Sequence, residues 1–237
     1  SLLAAMLWKC DVLTDLDISR NGISNACWNH RWETHEQNFH GLLAICKCIT
    51  QGLPALSKLT FSGDGLNRQF ITCGQIINDH QSQEVTIEAR MTTADLSRNN
   101  LQATGAMVLF AFLQNQNCSI TTLDVRENGI KWDLQTNEVG VLTRNRWSRE
   151  PEQPDQQIAG LALCAAIRTN TTLTKFDISM SRLFEGVEHL AAGLLMNQTL
   201  VILDISQNGL GPAESIHIAS MIKSNVLTSL TVSENAL

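Results

Sequence analysis

The sequence predicts an α/β solenoid, in which short parallel strands alternate with helices along one repeating chain. Three observations predict it. The pattern L-x-x-L-x-L-x-x-N-x-L recurs seven times in 237 residues. Inside the pattern, apolar residues alternate as on one face of a strand. Between matches, the apolar spacing changes to that of a helix. A unit of this kind buries its apolar side only against its neighbours, so the units have to stack.

The matches, in order, begin at Leu13, Leu56, Met91, Ile120, Leu173, Leu200 and Leu227. In the first, Leu16 and Ile18 fall on one face of a strand, with Asp15, Asp17 and Ser19 on the other. The corresponding inward pairs are Leu59/Phe61, Ala94/Leu96, Leu123/Val125, Phe176/Ile178, Leu203/Ile205 and Leu230/Val232. The Asn that follows (Asn21, Asn99, Asn128, Asn208, Asn235) suits the backbone groups left open where a strand turns away. Asp64 and Ser181 replace it in two matches and make only part of that pattern, so looser turns are expected there. Val187, Leu190, Ala191, Leu194 and Leu195 share one helical face, as do Ile158, Leu161, Ala162, Ala165 and Ala166. A helix returning after each strand makes the next strand parallel to the last. Before the third match, Val85, Ile87, Ala89 and Met91 alternate, which reads as a longer strand or a short added hairpin.

The stretch from Asn197 to Leu210, N-Q-T-L-V-I-L-D-I-S-Q-N-G-L, carries the motif nearly complete, and Asn170 to Leu183 carries it in part. The chain resembles, over essentially its whole length, the ribonuclease-inhibitor-like class of leucine-rich-repeat proteins. The resemblance implies one horseshoe domain of about seven repeats spanning 1–237, with a parallel sheet on the concave side and helices on the convex side. The class includes inhibitors, innate-immune sensors, a GTPase activator of nuclear transport and axonemal proteins, so fold alone does not fix function. Leu3 and Leu7 precede Leu13 as Leu163 and Ile167 precede Leu173, so residues 1–9 read as the end of a helix. No polar cap is legible at either end, and the chain is expected to be a segment of a longer one.

The first residues of successive matches are 43, 35, 29, 53, 27 and 27 residues apart. Against a period of 27, the first and fourth intervals carry insertions, at about 24–37 and 131–157. Four of the five tryptophans lie in them: Trp28, Trp32, Trp132 and Trp147. Arg31 accompanies the first pair, and Arg144, Arg146 and Arg149 flank Trp147. Trp and Arg are the types most enriched where protein interfaces hold tightest. These residues are the candidate protein-binding site. The competing reading is that the tryptophans fold back over an edge of the solenoid.

The outward strand positions form a second candidate. One column runs Asp17, Thr60, Asp95, Asp124, Asp177, Asp204, Thr231, and the next is serine except for Arg126. An acidic stripe of Asp17, Asp95, Asp124, Asp177 and Asp204 suits a basic partner. Equally, each Asp simply bonds its own neighbours, as the motif requires; that bonding is the favoured reading, because like charges on adjacent strands repel unless countered.

Composition narrows the classes further. Net charge is −6, which supplies no general field for nucleic acid, and no apolar run is long enough for a membrane. Of the seven cysteines, Cys46, Cys48, Cys73 and Cys164 sit in helix-like segments and read as buried reduced thiols, which favours the cytosol or nucleus over a secretory compartment. Cys27, His30, His35 and His40 have the spacing of no common zinc module, so no metal or cofactor is expected. Three N-x-S/T triplets, at Asn117, Asn170 and Asn197, recur at one place in a repeat and read as structural rather than glycosylated. No nucleophile or phosphate-loop motif appears; Arg20, Arg98 and Arg126 are placed for GTPase activation by position only. The expected function is therefore a non-catalytic scaffold, a structural subunit of a hetero-complex of axonemal or other cytoskeletal kind. The alternative is a ligand-sensing or inhibitory repeat domain using the sheet face.

Overall fold

The structure is a computed structural model and describes residues 2–19, 40–62, 70–72, 75–77, 84–130, 135–136, 156–184, 186–224 and 226–237. The repeat strands are β1 (Asp15–Asp17), β2 (Lys58–Ser62), β6 (Thr93–Asp95), β7 (Thr122–Asp124), β10 (Lys175–Asp177), β11 (Ile202–Asp204) and β12 (Ser229–Thr231). Each falls on a match of the pattern, whereas β8 (Gln135–Thr136) and β9 (Gln156–Gln157) form a separate antiparallel pair. The helices are α1 (Leu2–Leu7), α2 (His40–Lys47, continued by a π turn), α3 (Gln102–Leu113), α4 (Ile158–Thr169), α5 (Gly186–Leu194) and α6 (Ser215–Ile222), each packed on the next. The inward residues Leu123, Val125, Phe176, Ile178, Leu203 and Ile205 are fully buried between strand and helix layers. At about 25 cal/mol per Å² of apolar surface, this burial is the main favourable term of the fold.

One interval departs from the expected strand–helix alternation. No helix lies between β2 and β6 among the described residues. The chain instead forms β3 (Phe70–Thr72), β4 (Gln75–Ile77) and β5 (Glu84–Glu88). β3 and β4 make an antiparallel pair, and β5 runs antiparallel against β2, pairing Leu59 with Ile87 and Phe61 with Val85. Val85, Ile87 and Ala89 are buried by this added strand. The sheet is therefore not wholly parallel. It divides into β1–β2–β5 and a parallel five-stranded sheet, β6–β7–β10–β11–β12. Ala89 bridges the division: its N–H donates to Ser57 O at 2.7 Å, and its carbonyl accepts Ser119 N–H at 2.7 Å. The physical reason is the alternation of the Val85–Ala89 stretch, which suits a strand and leaves no helical face.

Two ladders of asparagine join the repeats. Asn208 Oδ1 accepts N–H groups from Ser181 and Leu183, one repeat back, while its Nδ2 donates to Ile178 O and Ile205 O. Asn128 and Asn235 repeat the arrangement. Ser181 keeps a donor part of it, bonding Val125 O and Ser179 O. Asn21 and Asp64 lie outside the described residues. The second ladder closes helix ends: Asn197 Nδ2 donates to Ile167 O, Asn170 to Leu113 O, and Asn115 to Ile49 O and Leu53 O. Asn170 and Asn197 are buried in this role, as the structural reading of their triplets requires. Asn117 is exposed, with Asn115 taking its place in the ladder.

The helical faces need one correction. In α4 the buried residues are Ile158, Ala159, Gly160, Leu163, Ala166 and Ile167, whereas Leu161 is 44% exposed. Leu195, expected on the buried face of α5, is 55% exposed. Both segments are apolar around most of their circumference, so spacing alone leaves the rotation open. In α3 residues 103–113 are all buried, and its sequence offers no charged face. Cys73 lies outside the described residues.

Candidate functional site

The sheet face is the part of the candidate surface that the structure describes. In the five-stranded sheet, register places Asp95 beside Asp124, Asp124 beside Asp177, and Asp177 beside Asp204. Four of the five aspartates thus form one unbroken row. Asp17 is separated from them, in the other sheet, where it stands beside Thr60.

Each carboxylate is held by its own strand end. Asp95 Oδ1 accepts Ser97 N–H at 3.0 Å and Ser97 Oγ–H at 2.7 Å. Asp177 does the same with Ser179 at 3.0 and 2.7 Å, and Asp17 with Ser19 at 2.9 and 2.7 Å. Asp204 is bonded likewise to the N–H and hydroxyl of Ser206. At Asp124 the partner two residues on is Arg126, which gives its N–H at 3.1 Å and its guanidinium at 3.0 Å. Two further groups order the strand exits: Arg98 donates through Nε and Nη2 to Glu127 Oε1, at 2.9 and 2.8 Å. Arg98 and Arg126 therefore both engage carboxylates of the chain itself. Arg20 lies outside the described residues.

The row is electrostatically uneven. The Ser97 hydroxyl and N–H hold the Asp95 carboxyl below its ordinary range, with Arg126 and Arg98 assisting. At Asp124 burial pushes the carboxyl up, and the Asp177 and Asp95 charges add to it, against the Arg126 N–H and guanidinium.

Trp28, Arg31, Trp32, Trp132, Arg144, Arg146, Trp147 and Arg149 lie outside the described residues. The fifth tryptophan, Trp8, is 40% exposed, with Lys47 Nζ 5.2 Å from its ring centroid. Gly52 permits this approach: a Cβ there would stand 3.2 Å from Trp8 Cε3. Burial pushes the Cys46 thiol up to about 12, which disfavours the thiolate a metal would need. Among the described residues, no helix is long and apolar enough to cross a membrane.

A family model described as a leucine-rich repeat matches residues 116–131 and 197–213. No curated protein matches significantly. Among solved structures, the chain is similar to the leiomodin-1 actin-binding site 2 at 15% identity, covering 61% of this chain and 71% of that one, with a TM-score of 0.46. It is also similar to the leucine-rich repeat-containing protein LegL7 from Legionella pneumophila. There the identity is 16%, the coverage 94% of this chain and 66% of that one, and the TM-score 0.35.

Proposed function

We propose that the chain, which is a leucine-rich-repeat protein, acts as a non-catalytic protein-binding scaffold whose insertions grip its partner. In this reading about seven repeats form a horseshoe that serves as a structural subunit of a cytoplasmic hetero-complex, of axonemal or other cytoskeletal kind. The observation that carries the proposal is the placement of four of five tryptophans, with Arg31, Arg144, Arg146 and Arg149, in the two insertions at 24–37 and 131–157. The repeat positions support it by contrast: their Asp, Ser and Asn side chains bond the strand ends and turns of the solenoid itself. Deleting 137–153 tests it. The solenoid should keep its circular dichroism and melting temperature and lose its partner; a chain that unfolds makes the insertion structural instead.

The row Asp95–Asp124–Asp177–Asp204 favours a second reading, a ligand-sensing or inhibitory domain that takes a basic partner on the sheet face. Replacing Asp95, Asp124 and Asp177 with Asn should then weaken that partner selectively.

A further inference from the structure

The outer faces of α4, α5 and α6 are apolar where solvent-facing helix sides are ordinarily polar. The same places recur at 27-residue spacing. Arg168, Leu195 and Ile222 are equivalent, as are Ala165, Ala192 and Ala219 in the row before them. Leu195 is 55% exposed, Met196 65%, Ile216 71% and Ile222 63%. Exposed apolar surface that continues over several neighbouring elements marks a contact site.

Among the described residues, the charges on this face stand at its two rims. Glu188 and Glu214 lie at the helix N-terminal rim, Arg168 and Lys223 at the C-terminal rim. Among the described residues, none of Arg168, Glu188 and Lys223 makes an ion pair. The three helices run the same way, because each connects parallel strands of one sheet. The face is therefore acidic along one rim, basic along the other and apolar between.

We propose that this face docks on the same face of a second copy of the chain. The two-fold axis lies in the interface, perpendicular to the helices, so that the helices of the two copies meet antiparallel. On that axis each helix lies over its own equivalent, so Glu214 faces the partner's Lys223, and Glu188 on α5 stands one helix over from the partner's Arg168 and Lys223. A parallel arrangement would set like charges together along both rims. The alanine row at mid-helix lets the two layers approach closely, and Leu195 and Ile222 supply the apolar core of the contact.

The test is mass photometry and sedimentation of the 237-residue chain over a concentration series, up to about 50 µM. The expected result is a dimer that dissociates on dilution. Leu195→Glu with Ile222→Glu should give a monomer with unchanged circular dichroism and melting, since both side chains are exposed in the single copy. Glu188→Lys should weaken the dimer about tenfold or more, and Arg168→Glu added to it should recover part of the loss. A chain that stays monomeric throughout overturns the proposal, as does a dimer indifferent to the Leu195/Ile222 pair. A monomer that floats with neutral phosphatidylcholine vesicles, and loses this with the same pair, assigns the face to lipid and also overturns it.

Discussion

Asn208 clasps Ser181 across a repeat boundary: its Oδ1 accepts the Ser181 N–H at 3.0 Å and the Leu183 N–H at 3.0 Å. The same side chain donates to Ile178 O, Ile205 O and Ser206 O, so one amide satisfies five backbone groups from two repeats. Asn208→Ala removes the shared acceptor of the Ser181 and Leu183 N–H groups and a donor to Ile178 O in a site closed to water, while Ile205 O keeps Asn235 Nδ2 and Ser206 O keeps the Met180 N–H. The loss should be about 3 kcal/mol by urea denaturation. A loss below about 1 kcal/mol would show that water replaces the amide there.

Gly209 is the next position to break. Its φ is +70°, and a Cβ would stand 2.6 Å from Phe184 Cε1. Gly209→Ala combines a left-handed-backbone cost of about 1–2 kcal/mol with displacement of the Phe184 ring. Phe184→Ala in the same background should recover the ring part only. Full recovery would mean that the backbone tolerates alanine without strain.

His189 gives a pH dependence. It lies across Gly160, where a Cβ would meet its ring at 2.2 Å. Burial holds its imidazole below the ordinary histidine range, against a smaller opposing pull from Glu188. The folded chain therefore binds the proton more weakly than the unfolded chain. The stability of the neutral form is fully present above the unfolded pKa and is lost as pH falls through that value towards the folded one. The urea midpoint should fall between about pH 7.5 and pH 5.5, and fall less in His189→Gln. Equal falls in both proteins would place the titration elsewhere.

Asp95 and Asp124 are adjacent in register yet should respond oppositely to loss of charge. The Ser97 bonds stabilise the Asp95 anion, so Asp95→Asn lowers the urea midpoint at neutral pH. Burial and the neighbouring carboxylates work against the Asp124 anion, so Asp124→Asn raises it. Lowering pH should reduce stability through Asp95, below its unfolded pKa, and add stability through Asp124 as its raised folded pKa is crossed. Two shifts of the same sign would mean that the Arg126 ion pair decides at Asp124.

The strand register was legible because each strand reuses one alternation, and Leu16, Leu59, Ala94, Leu123, Phe176, Leu203 and Leu230 all take equivalent places. The division of the sheet was visible only as two open readings of Val85 to Met91, since alternation shows a strand but not its direction. The rotations of α4 and α5 were misread at Leu161 and Leu195. An almost wholly apolar helix has no polar side to orient it, and the exposed row was detectable only from the 27-residue equivalence of Leu195 with Ile222. Asn117 drew attention through its triplet, whereas Asn115, two residues earlier, makes the helix-closing bonds. The aspartate row could be written down from sequence, but not which oxygen each strand end occupies.

Cross-linking mass spectrometry of the chain in its native assembly, with and without 137–153, tests the scaffold account most directly. The account predicts cross-links to the partner at Lys131 that disappear with the deletion while the repeat stack stays folded. Cross-links at Lys58 and Lys175 on the sheet face, unchanged by the deletion, would contradict it.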